Sequence, residues 1–239
     1  MNLAQILQAD QHYQQVYFSQ QDDNRIEIFK NEHYMWLNMN HVVQSAIELT
    51  PPYRPALPHS MVMLLPLIHD RVPSKVLELG GGAQSTQRYL NHSQKDVQFT
   101  SIESDSDVTK LVRDIFPGSN NLNIIEADAF EYLDLSVKDK QTYEWLIVDL
   151  FHGAESPINA KHKNFLQQVH LCLQGNGWLI LNCLYPDADK RAGLVKQITQ
   201  VFGHSPHMFA VPKMQNHILL IKKKEKFSFP SDIEQYNLI

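Results

Sequence analysis

One short stretch decides the fold of this chain: Lys75-Val76-Leu77-Glu78-Leu79-Gly80-Gly81-Gly82-Ala83-Gln84-Ser85. Apolar residues and a glutamate lead directly into three glycines, and an amphipathic segment follows them. This order predicts a buried parallel strand, a sharp turn and a helix that begins near Ser85. Glycine lets the backbone approach a ligand closely, and the first N–H groups of a helix are free to bind one. The stretch therefore predicts a ligand-binding turn, although tight turns also use glycine for steric reasons alone.

Strands and helices alternate after this stretch. Such alternation indicates a mostly parallel sheet covered on both faces, which is the doubly wound, Rossmann-like α/β fold. The last two strands follow each other without a helix between them, so we expect them to be antiparallel at one edge. The predicted strands cover residues 75–80, 97–103, 121–126, 143–149, 176–183, 206–211 and 216–223, and the predicted helices cover residues 85–92, 105–115, 158–173 and 187–202.

The chain before residue 50 has a different pattern. Its opening residues, 1–24, are rich in Gln and Asp, which predicts a frayed or weakly helical lead-in. Residues 25–29 and 34–39 alternate on either side of a turn, which predicts a small β-hairpin appendage, and residues 41–46 suit a short further strand. A few strands cannot bury a core unaided, so we expect the hairpin to pack on the main domain or on a second subunit.

A proline-dense linker follows the hairpin at residues 51–58. We therefore divide the chain into an N-terminal lead-in and hairpin region, residues 1–55, and a Rossmann-like domain, residues 56–239. An apolar helix from His59 to Ile68 is expected to open this domain.

The composition restricts the classes of function. The 239 residues have room for one large α/β domain and a small appendage. A hydrophobic content of 43% with 20% charged residues is typical of soluble globular proteins, and the net charge of −5 argues against a nucleic-acid or anionic-membrane partner. No apolar run approaches the length of a membrane span, and the opening residues lack a signal-peptide pattern. Cys172 and Cys183 are expected to be reduced and buried, which makes a cytoplasmic location the default.

Acidic residues follow three consecutive predicted strands. Glu103 ends the strand after the glycines, about 20 residues beyond them, where an acidic side chain can bind ribose hydroxyls. Asp128 follows the next strand and Asp149 the one after that. Taken singly, each could be a solvated loop carboxylate or a helix N-cap. Together with the glycines, they predict a nucleoside pocket at the carboxyl edge of the sheet.

These residues resemble those of the spermidine synthases (polyamine aminopropyltransferases), which have a class I methyltransferase-like fold. The resemblance runs from about Arg25 to Lys223. The hairpin before the glycine strand favours the aminopropyltransferase branch over a generic methyltransferase. The segments that carry the resemblance are Val43-Gln44-Ser45, Val76-Leu77-Glu78-Leu79-Gly80-Gly81-Gly82, Ile102-Glu103-Ser104-Asp105, Ala127-Asp128-Ala129-Phe130 and Tyr143-Glu144-Trp145-Leu146-Ile147-Val148-Asp149.

The resemblance implies that the group donor is decarboxylated S-adenosylmethionine and that the acceptor is a small amine. The loop of Gly80, Gly81, Gly82 and Ala83 would lie against this donor. Glu103 would hold the ribose hydroxyls.

Further roles follow from the same resemblance. Asp128 and Ala129 would hold the adenine, and Asp149 would face the transferred group and the amine. Gln44 would line the pocket from the hairpin side. His59 matches a pocket histidine of the family, although serine replaces the glutamate that follows it there.

The chain departs from the family pattern directly after the glycines. The family has an aspartate and two more glycines where this chain has Ala83-Gln84-Ser85. That aspartate engages the amino end of the donor, and its charge would repel the carboxylate of intact S-adenosylmethionine. Like-charge contacts of this kind can cost several kcal/mol, so Ala83 removes a selectivity filter. Intact S-adenosylmethionine therefore stays open as the donor.

A second departure lies in the loop after Asp149, where His152 replaces a second family aspartate. Aminopropyl transfer needs a cationic amine to lose a proton, and paired carboxylates would bind the amine and help to remove that proton. A neutral His152 could act as a base near pH 7, and Glu155 could supply the lost charge. A loop histidine without a catalytic role is equally open. The other histidines lack metal-ligand spacing, so no metal site is assigned.

Three functions follow, in order of preference. The first is aminopropyl transfer to a polyamine-type amine by an enzyme that acts as a homodimer. The second is an S-adenosylmethionine-dependent methyltransferase, which Ala83 and the glutamate Glu78 at the start of the glycine motif favour. The third is a catalytically inactive nucleoside-binding homologue, which the loss of two acidic positions favours.

Overall fold

A computed structural model of the chain describes residues 13–22, 24–151, 163–185, 187–224 and 229. Within these residues the chain forms a four-stranded antiparallel sheet and a seven-stranded, mostly parallel sheet flanked by helices. The predicted doubly wound, class I methyltransferase-like fold is thus confirmed.

The N-terminal sheet has the strand order β1-β2-β3-β4. The predicted hairpin is confirmed as β2 and β3, and the short further strand as β4. The predicted lead-in is wrong for residues 14–21, which form β1; residues 1–12 lie outside the described part of the chain. An edge strand of this kind needs only backbone pairing with one neighbour, so its exposed polar side chains are tolerated. The strands are β1 (Gln14–Gln21), β2 (Asn24–Lys30), β3 (Tyr34–Met39) and β4 (Val42–Glu48).

The second sheet has the order β10-β11-β9-β8-β5-β6-β7. The pairs among strands β5 to β9 are all parallel. Strand β11 pairs antiparallel with β9 and, as predicted, with the edge strand β10. The chain moves outward from β5 and then returns to its other side, which creates a switch point between β5 and β8. The strands are β5 (Lys75–Leu79), β6 (Gln98–Glu103), β7 (Ile124–Glu126), β8 (Tyr143–Val148), β9 (Leu173–Leu184), β10 (His207–Ala210) and β11 (Asn216–Lys222).

The helices differ from the prediction in two places. The expected helix from His59 to Ile68 is wrong as one element: α1 ends at Val62, and a separate 3₁₀ turn covers Leu65–Ile68. Pro66 is the second residue of that turn, and its nitrogen has no hydrogen with which to continue an α-helix. A helix over Ala129–Lys138, α4, was not predicted. The helices are α1 (Pro58–Val62), α2 (Ser85–Ser93), α3 (Ser106–Ile115), α4 (Ala129–Lys138), α5 (Lys163–Cys172) and α6 (Ala188–Phe202).

The core lies on both faces of the large sheet. Alternation along β5 sends Leu77 and Leu79 towards α4, α5 and α6, whereas Val76 and Glu78 lie on the face covered by α1 and α2. A third apolar cluster joins Ile28 of the N-terminal sheet to α3. The hairpin therefore packs on the main domain of its own chain.

Cys172 and Cys183 are free and buried, as predicted. Among the described helices, none is both long and apolar enough to cross a membrane. The predicted domain boundary at residues 55 and 56 stays a prediction.

Candidate functional site

The glycine loop connects β5 to α2 at the carboxyl edge of the large sheet. A Cβ atom on Gly80 would lie 2.3 Å from the backbone oxygen of Asp149, so the close approach of these two strand ends requires glycine. Gly82 has a φ of 47°, and a Cβ atom there would lie 2.2 Å from Ser45 Oγ. Both glycines are therefore set by contacts between elements and not only by the turn itself.

The N-terminal sheet holds this loop directly. Ser45 Oγ of β4 accepts a hydrogen bond of 2.9 Å from the backbone N–H of Ala83. Ser85 Oγ donates to the backbone oxygen of Ala46 at 3.2 Å. These bonds anchor the residue before the N-cap and the first residue of α2 to β4.

Gln44 sits next to this contact in a β-bulge. Between Ser45 and Val43, β4 advances two residues while its partner β3 advances only one, so Gln44 is the extra residue. Bulges increase the local twist and redirect a side chain, and they are common beside functional sites. Gln44 is half-buried, and its contact with a ligand stays a prediction.

Glu103 lies beside the loop, as expected for the end of the neighbouring strand. Its Oε2 accepts from the Gly82 N–H at 3.3 Å, and its Oε1 accepts from the Asp105 N–H at 3.0 Å. Burial raises the pKa of Glu103, and the two backbone hydrogen bonds oppose that shift. The loop and Glu103 thus present one connected surface.

Asp128 is the N-cap of α4, which was one of the two alternatives left open for it. Its Oδ1 accepts from the N–H groups of Phe130 and Glu131, both at 2.9 Å. Asp128 is exposed, and Ala129 is buried directly behind it. The Ala127 N–H donates to the Glu103 backbone oxygen at 3.1 Å, which places Asp128 at the same sheet edge as Glu103.

Asp149 follows β8 and lies against β5 and β9. Its backbone N–H donates to the Leu79 oxygen at 2.8 Å, and Asn182 Nδ2 donates to its Oδ1 at 2.7 Å. Burial raises the pKa of Asp149 to about 6, and the hydrogen bond from Asn182 opposes this shift. The carboxyl group is therefore mostly ionised at neutral pH, at the switch point of the sheet.

Glu78 is a second acid at this edge, and it behaves differently. It is 3% exposed, and Ser101 Oγ donates to its Oε2 at 3.0 Å. Burial raises the pKa of Glu78 to about 8, and the charge of Asp149 adds to this. Glu78 therefore keeps its proton at pH 7. The sequence marked Glu78 only as the acidic start of the glycine motif.

Gln84 is a buried residue with a left-handed backbone. Its φ is 64°, a value that costs a residue other than glycine roughly 1 kcal/mol or more. The family pattern has glycine here. In the described part of the chain, neither polar atom of its amide has a hydrogen-bond partner. The amide packs against Gly81 and Ser101 below the loop.

His59 lies in α1 and is 8% exposed. Burial lowers its pKa to about 4, so the ring is neutral at physiological pH. Its Nδ1 has no hydrogen-bond partner among the described residues. A contact between His59 and a ligand stays a prediction.

His152 and Glu155 lie outside the described residues, so their roles also stay predictions. The described ranges hold no group of three His, Cys, Asp or Glu side chains arranged to bind a metal ion.

A separate cleft of about 320 Å³ opens at the opposite, amino edge of the sheet. Its charged groups pair with each other: Lys222 with Asp70 at 3.1 Å, and Arg71 with Glu144 at 3.5 Å. We assign no ligand to this cleft.

The fold and the site define a class I methyltransferase-like domain. The features of the site are the glycine loop at the switch point, Glu103 at the end of β6 and the N-cap Asp128 after β7. More specifically, the chain belongs to the spermine/spermidine synthase domain family, whose model matches residues 56–232. This match confirms the resemblance predicted from the sequence and the preference for an enzyme.

Known proteins of this kind are similar over most of the chain. A polyamine aminopropyltransferase of Neisseria meningitidis is 25% identical over 205 residues, which cover 78% of this chain and 76% of that protein. The crystal structure of a probable spermidine synthase from Corynebacterium glutamicum has a TM-score of 0.72 at 22% identity and covers 93% of this chain and 85% of its own. The crystal structure of human methyltransferase-like protein 13 in complex with SAH has a TM-score of 0.62 at 19% identity. The match covers 75% of this chain and 86% of that chain. At these identities the two structures show a shared fold.

Sequence reasoning missed several groups of the site, namely Ser45, Ser101, Asn182 and Asn216. Each is an uncharged polar residue of a strand, and such residues are normally interpreted as solvent-facing or capping positions. The strand register brings them to one edge, and no local pattern in the sequence reports that register.

Proposed function

We propose that the chain transfers an aminopropyl group from decarboxylated S-adenosylmethionine to a small polyamine-type amine. The observation that carries this proposal is Asp149: a partly desolvated carboxylate, oriented by Asn182, at the end of the strand next to the glycine loop. A cationic amine bound there would be attracted by the carboxylate and aligned for attack.

The chemistry is a displacement at carbon. The amine gives a proton to Asp149, and its nitrogen lone pair attacks the aminopropyl carbon next to the sulfonium. A C–N bond forms, the C–S bond breaks, and its electron pair neutralises the sulfur, so that methylthioadenosine leaves. A carboxyl group with a pKa of about 6 is ionised at neutral pH and can still accept the proton.

The nucleoside of the donor would lie across the strand ends. Glu103 would accept hydrogen bonds from the ribose hydroxyls, because its carboxylate is already held against the loop by the Gly82 N–H. Asp128 and Ala129 would face the adenine at the start of α4. Gln44 and His59 would close the pocket from the N-terminal sheet and α1.

A methyltransferase is the second candidate, and Ala83 favours it. Ala83 is 1% exposed, packs in the apolar cluster between the N-terminal sheet and α3, and gives its N–H to Ser45, so the residue after the glycines carries no charge. Intact S-adenosylmethionine would then meet less repulsion than in relatives with an aspartate there. The products would be S-adenosylhomocysteine and a methylated acceptor.

A single product assay separates the two candidates. The protein is incubated with decarboxylated S-adenosylmethionine and putrescine, cadaverine or spermidine, and methylthioadenosine is measured by mass spectrometry. Parallel reactions contain S-adenosylmethionine and are assayed for S-adenosylhomocysteine. Methylthioadenosine that depends on the amine and disappears in Asp149→Asn supports aminopropyl transfer. Its absence at saturating donor and amine contradicts this transfer.

We also propose a cytoplasmic homodimer. Buried free thiols suit a reducing compartment. Large aromatic side chains are exposed at Tyr13, which directly precedes the edge strand β1, and at Phe18 within it. Analytical ultracentrifugation tests the dimer; a sedimentation coefficient of the monomer at micromolar concentration would contradict it.

A further inference from the structure

Two buried asparagines connect Asp149 to the antiparallel part of the sheet. Asn182 Nδ2 donates to Asp149 Oδ1 at 2.7 Å, and Asn216 Nδ2 donates to Asn182 Oδ1 at 3.0 Å. The three residues belong to the end of β8, to β9 and to β11, which are neighbours in the sheet. The side chains thus form one chain of hydrogen bonds across three strands.

The direction of this chain is fixed by chemistry. An ionised carboxylate can only accept hydrogen bonds, so Asp149 requires the NH₂ group of Asn182. The oxygen of the Asn182 amide must then point the other way, where it needs a donor. Asn216 supplies that donor with its own NH₂ group. Reversing either amide would place two oxygen atoms against each other.

Burial makes the direction matter. Asn182 is 1% exposed and Asn216 is 8% exposed, so water cannot readily replace a lost partner. Asn216 is itself held in place: it is the first residue of β11, and its backbone oxygen accepts from the Val211 N–H at 3.0 Å. This chain of hydrogen bonds from Asn216 through Asn182 to Asp149, called the relay below, therefore has a fixed outer end at Asn216. Its inner end is Asp149, the proposed catalytic residue.

We propose that Asn216 is a positioning residue that sets the orientation of the Asn182 amide, and that Asn182 in turn holds Asp149 as an oriented, ionised carboxylate. The proposal rests on the proposed function of Asp149. Asn216 acts on the reaction only through Asn182.

The sharpest test is Asn216→Asp, because it preserves shape and reverses polarity. The new carboxylate would accept from the Asn182 NH₂ group and turn the amide oxygen towards Asp149. We expect kcat to fall by about tenfold or more, with the KM for the nucleoside donor little changed. Asn216→Ala should be less harmful, because Asn182 can then still turn its NH₂ group to Asp149. Because a buried carboxylate also destabilises the fold, kcat is compared per folded protein after urea unfolding of each variant. A fall in kcat that only follows the loss of folded protein would overturn the proposal.

A matched control is Asn31→Asp in the turn between β2 and β3. The side-chain oxygen of Asn31 accepts from the His33 and Tyr34 N–H groups, a role that aspartate retains. The control makes the same chemical change, an amide to a carboxylate, at a position far in the fold from Asp149. We expect wild-type kinetics for it. Equal effects of Asn31→Asp and Asn216→Asp would overturn the proposal.

A spectroscopic measurement tests the relay without turnover. In protein labelled with ¹⁵N at asparagine, the side-chain NH₂ resonances of Asn182, assigned from Asn182→Ser, should shift as Asp149 titrates. The shift should vanish in Asp149→Asn. An Asn182 signal that does not respond in the wild type would overturn the proposal even if Asn216→Asp fails to fold. A responding signal in a protein without aminopropyl transfer would leave the relay intact and contradict only the proposed function.

Discussion

The carboxyl groups of Glu78 and Asp149 interact at the carboxyl edge of the sheet, and at neutral pH mainly one of them is ionised. Asp149 loses its proton at a pH of about 6, whereas the more deeply buried Glu78 keeps its proton to about pH 8. Two acids whose environments separate their pKa values in this way can perform different tasks. In the proposed reaction Asp149 is the charged group that binds the amine, and Glu78 is a neutral hydrogen-bonding group next to it.

Glu78→Gln tests the neutral state through stability. The native protein binds the Glu78 proton between pH 4.5 and about 8, where an unfolded chain has released it. Raising the pH through this window therefore lowers the free energy of unfolding, by an amount on the order of a few kcal/mol. Glutamine has nearly the same shape and does not titrate, so we expect a flatter pH dependence and a more stable protein at pH 8. Urea unfolding from pH 5 to 9 measures both; parallel curves for the variant and the wild type would contradict a protonated Glu78.

The pH dependence of activity should report Asp149. We expect kcat/KM for the amine to rise with an apparent pKa near 6, because binding needs the ionised carboxylate. Glu78→Gln should leave this limb in place, since Glu78 is already neutral at that pH. Asp149→Asn should lower kcat by about 100-fold or more. If Asp149→Asn keeps the same rise in kcat/KM near pH 6, this rise reports the titration of another group.

Gly82→Ala should disrupt the contact between the loop and the N-terminal sheet. The new alanine would have to keep a φ of 47°, and its Cβ atom would lie 2.2 Å from Ser45 Oγ. We expect a loss of about 1–3 kcal/mol in unfolding free energy and weaker nucleoside binding. Gly203→Ala is the matched control, because Gly203 has a φ of 79° with no atom within 4 Å of its Cβ position. Urea unfolding should show the larger loss in Gly82→Ala. Ser45→Gly removes the hydrogen bond to Ala83, but in that background the added cost of Gly82→Ala should fall to that of Gly203→Ala. An equal loss in both glycine variants would show that backbone conformation alone is responsible.

Ala83→Asp should restore discrimination between donors. The added charge would repel the carboxylate of S-adenosylmethionine, so we expect its affinity to fall at least about tenfold relative to that of the decarboxylated donor. Calorimetric titration of each variant with both ligands gives a ratio in which a general loss of folding cancels. Ala83→Asn, which is equal in size and uncharged, should leave the ratio near that of the wild type. A similar ratio in all three proteins would mean that this position does not face the donor carboxylate.

Arg88→Met should loosen the loop from the opposite side. Arg88 is 5% exposed and donates to the Ala83 oxygen and to Ser119 Oγ, both at 2.8 Å, so a buried guanidinium ties the loop to the segment after α3. Removing it leaves those acceptors unpaired, and we expect a loss of roughly 2–4 kcal/mol in thermal or urea unfolding. Arg113→Met removes an exposed arginine with a bond to the Ile124 oxygen and should cost much less. Comparable losses in the two variants would show that the buried bonds of Arg88 contribute little.

The parts of the fold that follow from local pattern could be predicted from the sequence. The glycines and the alternation after residue 75 indicated the parallel sheet. The positions of Glu103 and Asp149 at the ends of predicted strands indicated that both lie at the carboxyl edge of that sheet. Strand β1 was missed because its stability comes from pairing with β2 and not from its own polar side chains. Helix α4 was missed although an N-cap role was left open for Asp128, the residue that caps this helix.

The polar groups that orient the site could not be predicted in this way. Asn182 and Asn216 are 34 positions apart and meet only because β9 and β11 pair in one particular register. The state of Glu78 depends on burial from several sides, which no single segment encodes. Sequence pattern thus located the acids, and packing decides which of them carries a charge.

The hydrogen bond between Ser45 and Ala83 also determines how this protein can be divided. A fragment that begins after the proline-dense linker would keep the whole seven-stranded sheet but would lack the hydroxyl that holds the Ala83 N–H. It would also lack the Ala46 oxygen that anchors Ser85 and the apolar cover of α3. We therefore expect a cut at the linker to remove part of the support of the glycine loop, and chimaeras between relatives should exchange the N-terminal sheet and this loop as one unit.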